Sequence, residues 1–431
     1  MVKNEVGVGL LGLGTVGGGV TDVLLRKAEA LSLQVGCPLT LKGVLVQDSG
    51  KNRSAKIDPG LMTIDPEDVL ANPEVDVVVE VMGGEDAALT YIKGALSRGR
   101  HIVTANKEVM AKHGSELLNL AQANGVEIRY EAAVGGGIPL IAPFQHDLVV
   151  NDVSAIHSIL NGTTNYILTR MAEDELDFST ALAEAQELGY AEPDPTFDID
   201  GVDATYKLAI LSSLAFHTWV DPQEVYSEGI SRLTARDFRY ARELGYAIKL
   251  LAIAKRSRDS IEARVHPAFI PEDAALTQVR GVYNAVQVEG DLVGTVMFYG
   301  RGAGAEPTSS AVVADLVAVG RNIATGTKPG NRLRFDRGLK VKPTSQVETR
   351  YYLRMNVADQ AGVLAQISRI LGDNLISISQ MIQKEIDVVA ENAELVIMTH
   401  VAREDAMQRA LVGLKALNSV KEISSFVRVE M

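Results

Sequence analysis

The stretch LGYAEPDPTFDIDGVDATYKLAIL, residues 188–211, concentrates side chains that can handle protons. It carries five carboxylates, Glu192, Asp194, Asp198, Asp200 and Asp203, and then Lys207 at the head of a very apolar segment. Asp203 and Lys207 stand four positions apart, acid first, the favourable order for an ion pair on one helix face. Pro193 and Pro195 fix the loop that carries Glu192. One reading is a solvated acidic loop ahead of a core helix. The other starts from LAILSSLAF, which is too apolar for a surface: a lysine drawn into a dry interior needs a partner and is often functional. A second stretch, HSILNGTTNYIL (His157–Leu168), sets Asn161, Gly162 and Thr163 in a polar turn between an apolar strand and an apolar helix start. Its threonines suit helix capping, which alone would account for it.

A third stretch, EVGVGLLGLGTVGGGV, holds two overlapping G-x-G-x-x-G patterns: Gly7, Gly9, Gly12 and Gly12, Gly14, Gly17. A phosphate-binding turn must follow a strand and open a helix. The first register leaves only VKNEV as strand. The second leaves VGVGLL (Val6–Leu11), apolar enough for a buried parallel strand, with Val16, Val20, Val23 and Leu24 then recurring at helical spacing. The turn is therefore assigned to Gly12, Leu13, Gly14, Thr15, Val16 and Gly17. Gly12 permits the tight turn, Gly14 lets a pyrophosphate approach the backbone, and Gly17 allows close helix–strand packing. The helix N–H groups near Thr15 and Val16 would face the anion.

These groups need elements to hold them. Strand-like runs recur at Leu39–Val46, Val75–Met82, His101–Ala105 and Val126–Ala132, separated by helical stretches around 86–98 and 107–124. That alternation predicts a Rossmann-like doubly wound parallel sheet, whose ligands sit beyond the carboxyl ends of the strands. Met82–Gly84 and Thr104–Lys107 fall at such ends. After the second strand, VQDSGKNR offers Asp48 for a ribose 2′-OH or Lys51 and Arg53 for a 2′-phosphate, so NADP and NAD both stay open, with NADP slightly favoured. Tyr299–Val319 reads as a glycine-rich turn and a long helix that could return to the first sheet, and Thr325–Gln346 as a linker. From Thr349 the pattern is β-α-β-β-α-β, the ferredoxin-like arrangement. It carries no acid/base constellation, so a binding or pairing module is expected there.

The 431 residues are too many for one ordinary core, so two or three domains are expected. A formal charge of −13 disfavours nucleic acid and anionic membranes as partners. Cys37 is the single cysteine, which excludes an internal disulfide or a cysteine metal cluster and points to the cytoplasm. The apolar N-terminus has one basic residue, Lys3, answered by Glu5, and is saturated with glycine, so strand and turn fit it better than a signal peptide. No run of 18 apolar residues occurs, so no membrane span is expected.

Together GLGTVGGGV, TANKEVMA, YEAAVGGGIPLI, LNGTTNYIL, the acidic segment ending at Lys207 and GAGAEPTSSAVVADL resemble the homoserine dehydrogenases with a C-terminal ACT domain, over essentially the whole chain. The resemblance implies a Rossmann-like domain over 1–138, completed by the helix at about 305–325. It further implies an α+β catalytic and dimerisation domain over 139–304, a linker at 326–348 and an ACT regulatory domain over 349–431. The implied reaction is the NAD(P)-dependent, reversible reduction of L-aspartate 4-semialdehyde to L-homoserine, on the way to threonine, methionine and isoleucine. Lys207 would be the acid/base with Asp203 beside it, and Lys107 would lie between nicotinamide and substrate. Glu192 would bind the substrate amino group, with Asp198 nearby and Gly162 and Thr163 lining the site. Thr104, Gly135 and Gly304 would join the glycine turn on the cofactor. Glu131 and the carbonyls of Val134, Gly136 and Ile138 would wrap a sodium ion. DQAGVLAQISRIL resembles an ACT effector turn, which implies a regulatory role for Asp359, Gly362, Val363 and Leu364, with threonine as effector. Gln47 stands where family members often carry arginine. A homodimer or homotetramer is expected. Two rivals remain: a phosphorylating semialdehyde dehydrogenase, for which Cys37 is poorly placed, and a non-catalytic sensor of cofactor and amino acid.

Overall fold

The computed structural model describes residues 3–48, 50, 57–328, 335, 338–387 and 392–430. They fold into two compact units interleaved along the chain. One holds 1–154, 206–222 and 283–338, the other 155–205, 223–282 and 339–431.

The first unit is built on a six-stranded sheet in the order Met62–Thr63, Leu39–Leu45, Val6–Leu11, Val77–Glu80, His101–Thr104, Ile128–Arg129. Every pairing in it is parallel. Parallel strands flanked by helices are buried on both faces, which is why VGVGLL reads as an unbroken apolar run and Val77–Val79 as another, interrupted only at Glu80. Helices Asp86–Ser97 and Lys107–Ala123 lie where the spacing predicts them. The last strand is shorter than the expected Val126–Ala132, because Glu131–Ala133 winds into a 3-10 turn. Helix Ala305–Thr325 returns to this sheet and packs on the helix Thr15–Arg26. It buries Val312, Val313, Leu316 and Val319, and Ser309 Oγ donates to Val16 O at 3.2 Å. A hairpin, Tyr283–Gly290 with Gly294–Arg301, also belongs to this unit, and its second strand exposes Met297 and Tyr299.

The second unit contains strands that the sequence reading did not single out. Tyr246–Arg256 pairs antiparallel with Ser260–Pro271 along its whole length, and Ala155–Ser158 pairs with its far end. The tail then continues the same sheet. Val420–Val429 runs parallel beside Ala268 and Phe269, followed by Glu348–Ala358, Asn392–Thr399 and Ile378–Asp387. Helices Val363–Asp373 and Glu404–Lys415 complete the β-α-β-β-α-β module. Within the linker, Lys340–Val341 pairs with Ser260–Ile261. At the chain's end, Arg264 Nη2 donates to Glu430 Oε1 at 2.6 Å, with both side chains 2% exposed. Burial pushes the Glu430 carboxyl up, but Arg264 and Lys255 outweigh it and hold the group at about 2. Among the described residues no helix is long and apolar enough to cross a membrane.

Candidate active site

In the first unit the glycine turn follows the second register. Gly14 is the N-cap of helix Thr15–Arg26, and Gly12 has φ +99°, a conformation that favours glycine. A Cβ at Gly17 would fall 2.1 Å from Gly12 O, so helix and turn meet backbone to backbone there. A Cβ at Gly14 would meet nothing within 4 Å. Gly14 is therefore not demanded by packing within the chain, and open space at the head of a helix suits a pyrophosphate.

Thr104 and Lys107 flank the next strand end. Thr104 Oγ1 donates to Glu80 Oε2 at 2.6 Å and accepts from Asn106 N at 2.9 Å. Asn106 caps the helix that begins at Lys107, accepting from Val109 N at 3.1 Å, and its Nδ2 donates to Gly84 O at 2.7 Å. Glu80 is fully buried, and burial raises its carboxyl against the hydrogen bonds from Thr104 and the Met82 N–H. This cluster locks the Met82–Gly84 turn to the start of the Lys107 helix. Sequence reasoning missed Glu80 and Asn106. The available signal was a lone carboxylate inside VVVEV.

The loop after Glu131 closes on the same side. Glu131 accepts backbone N–H bonds from Leu140, Ile141 and Ala142. Gly135 and Gly136 are consecutive left-handed residues, at φ +73° and +54°. A Cβ at Gly136 would lie 2.6 Å from Gly302 O, and one at Gly137 2.8 Å from Pro307 Cβ, so this loop sits on the turn that contains Gly304.

In the second unit a single amide joins the two stretches that the sequence presents separately. Asn161, 5% exposed, accepts from Thr164 N at 2.8 Å through Oδ1 and so caps helix Gly162–Glu173. The cap is Asn161 rather than a threonine, because its longer side chain caps with one end and donates with the other. Its Nδ2 donates to Asp198 Oδ1 at 2.7 Å and to Asp203 Oδ2 at 2.9 Å. Thr163 Oγ1 donates to Tyr190 O at 2.7 Å, fastening the loop before Glu192. The five carboxylates thus divide by environment. Asp194 accepts from Thr196 N and Oγ1 and shapes a turn, while Glu192 and Asp200 are exposed. Asp198 is half-buried and Asp203 is 1% exposed. Asp203 lies in the first turn of helix Val202–Phe216, and Lys207, 7% exposed, follows one turn later. That helix passes from the second unit to the first between Thr205 and Tyr206. Lys207, Lys107 and the glycine turn therefore belong to one unit, and Asn161, Glu192, Asp198 and Asp203 to the other.

Helix Gly162–Glu173 is anchored in turn by a second buried lysine. Lys249, 5% exposed, donates to Asn165 Oδ1 at 3.1 Å and to Val279 O at 2.5 Å. Burial, with a smaller contribution from Arg280, pulls its ammonium down to about 8 from 10.5. Below pH 8 folded and unfolded chains both hold this proton, and above 10.5 neither does. Between those values only the unfolded chain holds it, so stability rises with pH across the window. Relative to Lys249→Met, the wild type is expected to gain on the order of 3 kcal/mol in urea unfolding between pH 7 and pH 10. Parallel pH profiles for the two proteins would refute this.

Cys37 is 5% exposed in the core of the first unit, and burial raises its thiol, which removes the nucleophile that a phosphorylating semialdehyde dehydrogenase needs. Asp48 is exposed and accepts from Gly50 N at 2.8 Å, whereas Lys51 and Arg53 lie outside the described residues. In the tail, Asp359 and Gly362 sit exposed on the turn before helix Val363–Asp373, with Gly362 at φ +90°, and the helix opens with Val363 buried and Leu364 exposed.

Three family models match the chain. One described as homoserine dehydrogenase covers residues 139–317, one described as homoserine dehydrogenase, NAD binding domain, covers 12–131, and an ACT domain covers 351–411. A curated homoserine dehydrogenase from Pseudomonas aeruginosa is 43% identical over 435 residues, covering 99% of each chain. The crystal structure of a homoserine dehydrogenase from Thiobacillus denitrificans superposes with a TM-score of 0.93 at 44% identity, covering 99% of this chain and 98% of that one. A hyperthermophilic archaeal homoserine dehydrogenase in complex with NADPH matches at a TM-score of 0.64 and 27% identity, over 76% of this chain and all of that one. With a nucleotide-binding sheet, an acid–lysine helix and an ACT module along one chain, this protein belongs to the homoserine dehydrogenase family.

Proposed function

We propose that Lys207 carries the proton in the interconversion of L-homoserine and L-aspartate 4-semialdehyde, with Asp203 keeping it charged and aimed. The nicotinamide, when bound, supplies or takes the hydride. In the reducing direction negative charge grows on the aldehyde oxygen, and a protonated Lys207 donates to it. Lys107, at the head of its helix, stabilises the same charge electrostatically. In the oxidising direction Lys207 takes the hydroxyl proton. Glu192 and Asp198 hold the substrate ammonium, and Gly162 and Thr163 line the site. Gly12–Gly17, Thr104, Gly135 and Gly304 hold the cofactor.

The observation that carries this reading is the Asn161 amide, which fastens Asp198 and Asp203 together at the head of the helix bearing Lys207. A merely solvated acidic loop would not have a buried amide donating to two of its carboxylates. The direct test is oxidation of L-homoserine with NAD and NADP side by side. We place NADP first, because Asp48 accepts the Gly50 N–H and two cations follow it in sequence. The expected result is a higher kcat/KM with NADP, and a higher value with NAD reverses the assignment.

Glu131 with the carbonyls of Val134, Gly136 and Ile138 suits a monovalent cation. The set has one carboxylate, already partly compensated by three N–H groups, and the rest is neutral oxygen. Among the described residues no group of three or more His, Cys, Asp or Glu could hold a metal ion. Replacing sodium by choline is expected to lower the melting temperature, and EDTA to leave it unchanged.

Threonine is the effector we assign to the ACT turn. Removing the tail would strip Arg264 of Glu430 and uncover a strand, so the test uses the full chain. Asp359→Asn and Leu364→Ala are expected to weaken threonine inhibition, and equal inhibition of both variants and wild type excludes the turn. We assign a homodimer or homotetramer, with the exposed Met297 and Tyr299 on strand Gly294–Arg301 as part of the contact.

A further inference from the structure

The turn that carries Asp198 is shaped by a segment far from it in sequence. Ser227 Oγ donates to Asp200 O at 2.9 Å, and Ile230 N to Ile199 O at 3.0 Å. Gly229 is pressed so closely on the turn that a Cβ would fall 2.4 Å from Ile199 O and 2.8 Å from Asp200 Cα. A Cβ at Gly201 would meet Ser227 Oγ at 2.9 Å. Any displacement of residues 226–230 is therefore passed to the Asp198–Gly201 turn backbone to backbone.

The other side of that segment is held by one guanidinium from the last strand of the ACT module. Arg428, its side chain 2% exposed, donates from Nη1 to Glu228 Oε2 at 2.7 Å and from Nη2 to Tyr226 OH at 3.2 Å. Its guanidinium carbon lies 4.8 Å from the Tyr226 ring centre. The remaining edge of the fork is fixed inside the module, where Nε and Nη2 donate to the two oxygens of Glu404 at 2.9 and 2.7 Å. Glu404 opens helix Glu404–Lys415 and also accepts from Tyr351 OH at 3.0 Å. A bidentate contact to Glu404 on one edge, with Glu228 on Nη1 and Tyr226 sharing Nη2, defines the orientation of this buried fork as well as its distance. A cavity of about 580 Å³ beside this contact is lined by Asp200, Ser227 and Arg232 together with Lys415, Ser425 and Arg428.

We propose that Arg428 and Glu228 are positioning residues for the substrate: through residues 226–230 the ACT module fixes where Asp198 stands, and so sets the KM for L-homoserine. The inference rests on the reading of Asp198 as a substrate contact. It accounts for how a module without catalytic groups can govern a reaction, since a shift of helix Glu404–Lys415 or strand Val420–Val429 moves Arg428 and with it the turn.

The test is steady-state L-homoserine oxidation by full-length Ser227→Ala, Glu228→Gln, the double variant and Asp198→Asn. Ser227→Ala weakens the link on the substrate side by removing its side-chain hydrogen bond to Asp200 O, and Glu228→Gln weakens it on the module side while keeping shape. Each single variant is expected to raise the homoserine KM by about 3- to 30-fold, with kcat and the cofactor KM within about twofold of wild type. The double variant is expected to rise little further than the worse single, because both act on one connection. A general loss of packing would instead lower kcat and the melting temperature together, and multiplying effects in the double variant would refute a single connection. If Asp198→Asn raises KM but the two singles do not, the relay is overturned and the substrate contact stands. If Asp198→Asn changes nothing, the substrate contact itself is overturned.

Discussion

Replacing Lys207 by alanine is expected to lower kcat by about two to four orders of magnitude in either direction, while the cofactor still binds. The size follows from what is removed. Lys207 is 7% exposed on an apolar helix, so water is poorly placed to take over the proton. Alanine is the best helix former, and the helix Val202–Phe216 should survive the change. Asp203 keeps the hydrogen bond from Asn161 Nδ2, so the acid is not stranded. The measurement is kcat with saturating homoserine, alongside nucleotide affinity by fluorescence titration. Partial recovery on adding ethylamine would tie the loss to the missing amine. Wild-type turnover in the variant would remove Lys207 from the reaction.

The second large effect separates two glycines of one motif. A Cβ at Gly14 would meet no atom within 4 Å, and the backbone there, φ −84° and ψ −153°, is extended, so a valine finds open space at its root. The folded chain should tolerate Gly14→Val, with an unchanged melting temperature. A pyrophosphate seated at the helix N-terminus would not tolerate it, and the cofactor KM is expected to rise by about two orders of magnitude, roughly 3 kcal/mol. Gly17→Ala should behave in the opposite way. Its Cβ would press 2.1 Å from a backbone oxygen that cannot rotate aside, costing about 1–3 kcal/mol of stability before any cofactor is added. Gly14→Val with a normal cofactor KM would move the phosphates elsewhere.

The contrast with what could be read from the sequence is physical. The first sheet was legible because buried parallel strands are largely apolar runs, separated by stretches with helical spacing. The ACT module was legible because its strands and helices alternate within about 80 residues. The strands Tyr246–Arg256 and Ser260–Pro271 were not, because Lys249, Arg264 and His266 are buried in them and break the apolar pattern. Their partners include residues distant in the chain, Glu430 for Arg264 and Asn165 for Lys249, besides the neighbouring Glu262. The acid–lysine pair on one helix was visible as a spacing. The role of Asn161 was not, since its partners stand 37 and 42 positions away and a cap is all that local sequence implies.

The pairing of Val420–Val429 with the strand Ser260–Pro271 also bears on how this chain is made. The nucleotide-binding sheet is complete well before synthesis ends and can condense on the nascent chain. At Ala268 and Phe269 the edge of Ser260–Pro271 waits for Val420–Val429, which is made long after it. Until then Arg264 lacks Glu430 and the strand lacks its neighbour, and in that interval a chaperone or a second nascent chain competes for them.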